Sequence, residues 1–334
     1  EELMRGRIAV GRDRVLDELL DDAAGILADH GHTITRMDAP EGLTGPADAL
    51  LIASRTPVTP GFLDAHPELK AVVFLSSGTN SIDLDDAARR GVVVANGATQ
   101  ENYSSMAEAT IMLASALLLR LGDRLTECAE QRPRPQPSTL RSRMLMGSTL
   151  GLIGYGRIAR QIPPRLAGWG VTVLAHSRGA TPADAPGVEL VGLDELLRRS
   201  DVVSLHLALT AQTRGIIGER ELGLMRPESY LINTARGGLV DEDALARALR
   251  EGTLAGAAID TVEHEPVAAD NPLRGCPGLL LTDHIIGHTR QMYDSLVPAA
   301  VANLEAVMES ETPPGVVRSG RITPPGDTDA QATE

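Results

Sequence analysis

The sequence predicts an α/β protein built on parallel β-sheets, and three observations lead to this fold class. Short apolar runs that suit strands alternate with stretches of helical spacing, and such alternation implies parallel strands joined by right-handed crossovers. An apolar run at residues 150–153 leads into a glycine turn and then into residues that can begin a helix. The length of 334 residues exceeds what one hydrophobic core usually serves, so two domains are expected.

The glycine turn is the sequence GYGRIA at residues 154–159. Gly154 permits a sharp turn, Gly156 lets a pyrophosphate approach the backbone, and Ala159 is small enough for close packing of helix on strand. Free N–H groups at the start of the helix can bind the anion. A second strand at residues 171–176 ends where such units place the residue that contacts the ribose. The pattern is typical of a dinucleotide site, although glycine turns also occur in other α/β proteins.

Composition and charge limit the possible functions. The chain is 43% apolar and carries a net charge of -14, which argues against non-specific binding to nucleic acid or acidic membranes. Cys128 and Cys276 have no CxxC or metal-ligand spacing, so we expect no metal site and no disulfide framework. The most apolar helical stretch, residues 107–121, carries two charges and is too short to span a bilayer. A soluble cytoplasmic protein without a secretory leader is expected.

The expected elements form one series on each side of the glycine turn. Before it, strands are predicted at residues 7–10, 33–37, 49–53, 71–75 and 92–95, with helices at 15–28 and 104–120. After it, strands are predicted at residues 171–176, 201–206, 230–234, 257–260 and 279–282, with helices at 193–199, 241–250 and 292–308. The proline-rich residues 128–144 predict an extended loop. Residues 319–334 have little to bury and are expected to be disordered.

Two polar loops follow strand ends in the first series. They are Ser-Arg-Thr at residues 54–56 and SSGTN at residues 76–80. Ligands bind at the carboxyl edge of open parallel sheets, so these loops are candidates for one wall of a cleft. Ordinary surface turns would explain the same residues equally well.

Three chemically capable residues follow strand ends in the second series: Arg236, Glu265 and His284. On a parallel sheet all three would lie at the edge that carries the glycine turn. A guanidinium suits a carboxylate, and a histidine beside a glutamate can act as a general acid near neutral pH. Beside a dinucleotide, Arg236 would bind the carboxylate of a 2-oxo acid and polarise its carbonyl. His284 would protonate the oxygen, and Glu265 would orient the imidazole.

Each of these residues also has an ordinary structural interpretation when it is taken singly. Arg236 could be a solvated loop residue, and Glu265 before Pro266 could be a turn or cap residue. His284 could be a core histidine with its hydrogen bonds satisfied. Their shared position at one sheet edge favours the functional interpretation.

Longer stretches resemble the D-isomer-specific 2-hydroxyacid dehydrogenase family. The stretch LINTARGGLVDED begins at Leu231, and GAAIDTVEHEP and LLLTDHIIGHT follow it. SSGTNSIDLDDAARRGV, NYSSMAEATIMLASALLLR, TLGLIGYGRIAR and SDVVSLHLALTAQTRGIIG are similar as well, in the family order, over about residues 7–317.

The resemblance implies the domain arrangement and the assembly. A Rossmann doubly wound parallel sheet domain at residues 101–289 would be inserted in a flavodoxin-like α/β substrate domain formed by residues 1–100 and 290–318. It also implies a small 2-oxo or 2-hydroxy acid as the substrate, and usually a homodimer joined through the Rossmann domains.

The resemblance also implies the site residues. Arg236, Glu265 and His284 match the catalytic trio, and Ser77 and Gly78 match the loop whose backbone N–H groups hold the substrate carboxylate. The substrate side chain would be selected by other residues, for which the candidates are Arg55, Tyr103 and Met106. The implied cofactor contacts are Gly154, Gly156, Arg157, Ile158, Ser177, Arg178, His206, Thr234, Ala235 and Asp260.

The end of the second Rossmann strand departs from the NAD-type pattern of the family. Members that use NAD carry an acidic residue there, whereas this chain has His176-Ser177-Arg178. Loss of the carboxylate and gain of a guanidinium favour a 2′-phosphate, so NADP is the expected cofactor. The alternative is that Arg178 faces solvent and NAD is used.

Three further departures concern the helix and the catalytic loop. Pro163 and Pro164 fall in the second turn of the cofactor helix, where they predict a kink, or a broken helix that restarts with proline in its first turn. Asp283 replaces the usual proline before His284 and either adds negative potential there or faces away. His288 is equally consistent with substrate selection and with a plain surface position.

Three functions are consistent with these patterns. The favoured one is an NAD(P)-dependent oxidoreductase that acts on a small 2-hydroxy or 2-oxo acid. A second is a catalytically idle, nucleotide-sensing protein, because some family relatives serve as corepressors and can retain the trio. A third is another reaction on the same fold, such as oxidation of an inorganic or phosphorus oxyanion.

Overall fold

The protein divides into two compact units, each built on a mainly or wholly parallel sheet, in a computed structural model that describes residues 5–181, 183 and 185–318. The first unit comprises Glu1–Asn102 and Thr289–Glu334, and the second comprises Tyr103–His288. The predicted fold class is confirmed. The disorder predicted for residues 319–334 concerns a segment that lies outside the described residues.

The first unit contains a six-stranded sheet. Its strands are β1 (Arg7–Val10), β2 (Thr33–Arg36), β3 (Ala49–Ile52), β4 (Ala71–Phe74), β5 (Val93–Asn96) and β13 (Val316–Arg318), in the order β13-β5-β4-β3-β1-β2. Its helices are α1 (Asp17–Asp29), α2 (Pro60–Ala65), α3 (Leu84–Arg89) and α10 (Arg290–Met308). All neighbouring strands are parallel except β13, which is antiparallel to β5. Every residue of β3 and β4 is buried, as expected for central parallel strands covered on both faces.

The second unit contains a seven-stranded sheet whose neighbouring strands are all parallel. The strands are β6 (Thr149–Ile153), β7 (Thr172–His176), β8 (Glu189–Leu190), β9 (Val202–Leu205), β10 (Tyr230–Asn233), β11 (Gly256–Ile259) and β12 (Leu279–Leu281). The helices are α4 (Gln100–Leu118), α5 (Leu121–Ala129), α6 (Ile162–Arg165), α7 (Leu193–Arg199), α8 (Glu219–Leu224) and α9 (Glu242–Glu251). The strand order β12-β11-β10-β9-β6-β7-β8 reverses direction between β6 and β9. That switch point is where open α/β sheets bind ligands.

The helix predicted at residues 104–120 is wrong in its bounds. Helix α4 begins at Gln100 and ends at Leu118, and Arg120 in the left-handed region (φ 56°) separates it from α5. Helix α5 was not predicted; it buries none of its residues, and its apolar Leu121 and Leu125 are exposed. The short helices α2, α3 and α8 were not predicted either, because six residues are too few to show a helical period.

The two consecutive prolines break the cofactor helix as predicted. A 3₁₀ turn at Ala159–Gln161 follows the glycine turn, and α6 restarts at Ile162 with Pro163 in its first turn. Proline is tolerated there because its missing N–H would have no intrahelical partner. The side chain of Arg165 donates a hydrogen bond to the carbonyl of Gln161 at 3.0 Å.

The length of the apolar helices and the state of the two cysteines bear on membrane insertion and on disulfide formation. Among the described residues, no single helix is long and apolar enough to cross a membrane. Helices α4 and α5, which meet at a 58° bend, satisfy the length and composition criteria only as a pair. Cys128 is exposed, Cys276 is buried, and both are free thiols.

Candidate active site

The glycine turn lies at the switch point of the second sheet, and the two glycines are there for different reasons. Gly154 has φ 93°, and a Cβ at this position would lie 2.4 Å from the carbonyl oxygen of His206. The fold itself therefore requires glycine at position 154. A Cβ at Gly156 would meet no atom within 4 Å. No packing within the described protein demands this second glycine, so the open space above it can admit a phosphate to the backbone, which fits a dinucleotide.

The residues after the second glycine are held by the start of α4. Arg157 donates a hydrogen bond from Nη1 to the hydroxyl of Tyr103 at 2.7 Å, and its guanidinium lies 5.7 Å from the centre of the tyrosine ring. Ser104 donates to Oε1 of Gln161 at 3.0 Å. Ile158 is half-buried. Arg157 is thus held by Tyr103, and the role of this loop in cofactor binding stays a prediction.

The other candidate cofactor residues follow four strands of the same sheet, at its carboxyl edge. They are Ser177 and Arg178 after β7, His206 after β9, Thr234 and Ala235 after β10, and Asp260 after β11. Arg178 is exposed, whereas Thr234 and Asp260 are buried. Burial lowers the pKa of His206 to about 4, so its ring is neutral at pH 7 and lies 3.0 Å from the hydroxyl of Ser204.

Arg236 is positioned by the buried Asn233 at the end of β10. The amide of Asn233 donates to the carbonyl of Arg236 at 2.9 Å and accepts the N–H of Ala235 at 3.1 Å. Burial lowers the pKa of Arg236, and the negative charge of Glu265 opposes that shift. The guanidinium stays protonated at neutral pH because the pKa of arginine starts above 12. Arg236 is therefore half-buried, in contrast to a fully solvated loop residue.

Gly237 brings the loop of Arg236 against the chain that follows β11. A Cβ at Gly237 would lie 1.9 Å from the backbone carbonyl carbon of Val262. A Cβ at Gly238 would lie 2.7 Å from the carboxylate of Glu263. Only glycine allows two backbones to approach this closely. The crossing fixes the distance between the loops that carry Arg236 and Glu265.

Glu265 and His284 form a direct pair. Both carboxylate oxygens of Glu265 lie 2.9 Å from Nδ1 of His284. An ionised carboxylate only accepts hydrogen bonds, so Nδ1 carries the proton. Nε2 makes no hydrogen bond to another of the described residues, which leaves it available to exchange a proton with a ligand. The interpretation of His284 as a satisfied core histidine is therefore wrong.

Asp260 holds the loop of His284 in an unusual conformation. His284 has φ 53°, in the left-handed region, and its N–H donates to the carbonyl of Asp260 at 2.7 Å. Oδ1 of Asp260 accepts the N–H groups of Ile285 and Ile286 at 3.0 and 3.2 Å and the hydroxyl of Thr282 at 2.7 Å. The sequence indicated Asp260 only as a cofactor contact. Its role as the acceptor for this loop depends on backbone donors that no spacing reveals.

Two further residues near the pair were left open by the sequence. Asp283 accepts the N–H of Val267 at 3.3 Å through Oδ1, so its carboxylate is turned towards the segment that carries Glu265. His288 is exposed, and its N–H donates to the carbonyl of Ile285. Both alternatives for His288 stay open.

The candidate substrate residues of the first unit also follow strand ends. Arg55 follows β3 and is exposed, and Ser77 and Gly78 follow β4. The carbonyl of Ser77 accepts a hydrogen bond from the side chain of Asn96 at 2.7 Å. A Cβ at Gly97 would lie 2.0 Å from the carbonyl oxygen of Leu75, so this loop is tightly packed at its base. The role of Arg55, Ser77 and Gly78 in substrate binding stays a prediction.

The geometry defines the class of protein first. A parallel sheet with a glycine turn at its switch point is the usual support for a dinucleotide. A histidine with one ring nitrogen bound to a carboxylate and the other available suits proton transfer, and a half-buried arginine suits an acid substrate. The second unit is therefore equipped as a dinucleotide-dependent oxidoreductase.

Comparison with known proteins narrows the class. A family model described as D-isomer specific 2-hydroxyacid dehydrogenase, NAD binding domain, matches residues 111–285. A glyoxylate reductase of Thermofilum pendens is 35% identical over 277 residues, or 81% of this chain and 81% of that protein. An (S)-sulfolactate dehydrogenase of Chromohalobacter salexigens is 39% identical over 267 residues, or 78% and 84% of the two chains.

A solved structure agrees with this similarity. The D-lactate dehydrogenase from Aquifex aeolicus, complexed with NAD and lactic acid, superposes with a TM-score of 0.80 at 26% identity, over 91% of this chain and 96% of that chain. The chain belongs to the D-isomer-specific 2-hydroxyacid dehydrogenase family. It is thus an oxidoreductase of hydroxy acids that uses a nicotinamide cofactor.

The Gly237 crossing generates a stability prediction. Gly237→Ala should lower the free energy of unfolding by about 1–3 kcal/mol, because the new methyl group overlaps the backbone of Val262. Urea denaturation measures the change. Gly223→Ala is the control: its Cβ meets no atom within 4 Å, and alanine in a helix should stabilise by about 0.5–1 kcal/mol. Equal stability of Gly237→Ala and wild type would contradict the close crossing.

Proposed function

We propose that the protein reduces a small 2-oxo acid to the 2-hydroxy acid, and catalyses the reverse reaction, with Arg236, Glu265 and His284 as its catalytic residues. The observation that carries the proposal is the pair in which Glu265 binds Nδ1 of His284 from 2.9 Å and leaves Nε2 available. The relatives named glyoxylate reductase and (S)-sulfolactate dehydrogenase support a small acid as the substrate.

Each residue has a separate task in this reaction. The guanidinium of Arg236 binds the substrate carboxylate and polarises the adjacent carbonyl. The nicotinamide ring, when bound, donates a hydride to the carbonyl carbon. His284 gives its Nε2 proton to the carbonyl oxygen as negative charge develops there. Glu265 holds the ring by Nδ1, so that Nε2 stays directed to the ligand.

The idle binding protein is the alternative function. It needs only the dinucleotide site, and idle relatives can retain the catalytic trio. Turnover of an acid is therefore what separates the two functions.

A substrate panel tests the proposed function. Loss of NADPH or NADH absorbance at 340 nm should accompany addition of glyoxylate, hydroxypyruvate, pyruvate or phenylpyruvate. His284→Ala should lower kcat by about 100- to 10,000-fold, because the general acid is removed, while cofactor affinity in a fluorescence titration stays near the wild-type value. Cofactor binding without turnover of any acid would favour the idle function. Unchanged turnover in His284→Ala would remove this residue from the mechanism.

We further propose that NADP is the preferred cofactor. Ser177 and Arg178 stand at the end of β7, and Arg178 is exposed and forms no ion pair with the described residues. A guanidinium there suits a 2′-phosphate, and the absence of a carboxylate at these two positions removes the usual partner of the NAD ribose.

A change of cofactor preference tests this assignment. Ser177→Asp combined with Arg178→Ala should shift the ratio of kcat/KM for NADPH to that for NADH towards NADH by about tenfold or more, because a charged hydrogen bond is lost. Arg198→Ala, which removes an exposed arginine of α7, is the control and should leave the ratio unchanged. An unchanged ratio in the double variant would show that this loop does not contact the phosphate.

We propose a homodimer joined through the second unit. Large apolar side chains are exposed along the junction of α4 and α5, on the segment that follows, and after α6. They are Leu119, Leu121, Leu125, Leu140, Met144, Met146 and Trp169. The segment after α5 is hydrogen-bonded to that junction. The backbone N–H of Arg143 donates to the carbonyl of Leu118, and the hydroxyl of Ser142 donates to the carbonyl of Leu119. Exposed large apolar side chains in such number are typical of an interface, and a second copy is the simplest partner.

Light scattering after size exclusion tests the dimer. The wild type should have twice the mass of the 35.3 kDa chain, and Leu125→Glu or Met146→Glu should yield a monomer, because a charge would be buried in the interface. Val15→Glu, at a valine of the first unit that is 59% exposed, should stay dimeric. A monomeric wild type, or variants that remain dimeric, would contradict the proposal.

A further inference from the structure

The segment that carries Glu265 is an exposed loop, which raises the question of what holds its carboxylate in place. Residues 263–268, here called the Glu265 segment, contain no helix or strand, and five of these six residues are exposed. Loops of this kind are normally the mobile parts of a protein. Glu265 nevertheless places both carboxylate oxygens 2.9 Å from Nδ1 of His284, so other contacts must fix the loop.

Glu242 holds the beginning of this segment. It is the first residue of α9, and its Oε1 accepts the N–H of Glu263 at 2.6 Å. Its other oxygen, Oε2, accepts the side-chain amide of Asn271 at 2.8 Å. One carboxylate thus binds the chain on both sides of Glu265. The support is rigid, because Leu245 and Leu249 of the same helix are fully buried in the core.

Asp283 holds the end of the segment. Its Oδ1 accepts the N–H of Val267 at 3.3 Å, and Asp283 directly precedes His284. The carbonyls of Val267 and Ala268 each accept a hydrogen bond of 2.7 Å from Arg274. The Glu265 segment is therefore hydrogen-bonded to Asp283, the residue next to His284.

We infer that Glu242 and Asp283 are positioning residues that hold Glu265 against His284. The inference rests on the proposed function of the pair and extends it to two carboxylates that are not assigned to the reaction. Each acts as a hydrogen-bond acceptor for the backbone of the Glu265 segment. Neither contacts His284 by a hydrogen bond of its own.

A purely electrostatic role makes different predictions. If the two carboxylates acted by their negative charge, the neutral variants Glu242→Gln and Asp283→Asn would be as impaired as the alanine variants. If they act as acceptors, the amide oxygen of the neutral variants can still bind the N–H of Glu263 or Val267. Recovery of kcat in the amide variants therefore distinguishes a role as hydrogen-bond acceptor from a role that depends on negative charge.

Steady-state kinetics with glyoxylate, and with whichever of NADPH or NADH the wild type oxidises faster, provides the first test. Glu242→Ala and Asp283→Ala should each lower kcat by about 10- to 100-fold, because a displacement of the pair by about 1 Å can cost that much. KM for the cofactor should stay close to the wild-type value. Glu242→Gln and Asp283→Asn should recover most of kcat. Alanine variants that retain full kcat would overturn the inference.

Asp243→Ala is the matched control for Glu242→Ala. Asp243 lies in the same first turn of α9, carries the same charge, and makes no hydrogen bond or ion pair with the described residues. Loss of its charge perturbs the helix end equally without touching the Glu265 segment. Its kcat should equal that of the wild type. An equal loss in Asp243→Ala and Glu242→Ala would attribute the effect to the helix and overturn the inference.

A double-mutant cycle tests whether Glu242 acts through Glu265. Residues that act as a unit are non-additive in catalysis. Glu242→Ala should therefore cause no further loss of kcat in a Glu265→Gln background, and the pH profile of kcat in Glu242→Ala should move in the direction seen for Glu265→Gln. Additive losses, or an unmoved pH profile, would overturn the inference.

A readout without turnover keeps this inference separate from the proposed function. If the wild type reduces no acid of the panel, the proposed function fails, but the nitrogen-15 spectrum of the histidine rings still reports the pair. The Nδ1–H signal of His284, assigned by its loss in His284→Ala, should be present in wild type and Asp243→Ala and be lost or broadened in Glu242→Ala. An unchanged signal in both Glu242→Ala and Asp283→Ala would overturn the inference.

Discussion

The contact between the Glu265 carboxylate and Nδ1 of His284 is the interaction on which the site depends. At 2.9 Å from both oxygens, the carboxylate fixes the ring proton on Nδ1 and leaves Nε2 to exchange a proton with the substrate. Neither residue lies in a helix or strand. The surrounding fold must therefore hold two loops in position. Asp260 holds the loop of His284, whose backbone is left-handed, and the close crossing at Gly237 holds the chain after β11.

The cofactor side of the site shows how one motif combines two physical requirements. Gly154 is glycine because the sheet leaves no room for a side chain beside the carbonyl of His206. Gly156 faces open space, so its small size serves a ligand and not the packing. The prolines at positions 163 and 164 leave this arrangement intact, because the helix restarts at Ile162, beyond the turn that would contact the phosphates.

The sequence predicted most of the sheets and little of what holds the site loops. Central strands such as β3 and β4 are buried on both faces, and this burial appears in the sequence as uninterrupted apolar runs. The shared edge of Arg236, Glu265 and His284 follows from parallel topology. Helix α5 was missed because it buries nothing. The bonds made by Asp260 and Asp283 join side chains to backbone groups of other segments, and Asn233 bonds the backbone of its own loop. Such bonds produce no periodicity in the sequence.

The most direct test is a crystal structure of the protein with oxidised or reduced nicotinamide dinucleotide and oxamate, an isostere of a 2-oxo acid. The account predicts that the guanidinium of Arg236 binds the oxamate carboxylate, and that Nε2 of His284 lies within hydrogen-bonding distance of the oxygen that represents the reacting carbonyl. It also predicts that Glu265 stays on Nδ1. Oxamate bound away from Arg236, or His284 turned so that Nε2 contacts protein and not ligand, would contradict the account.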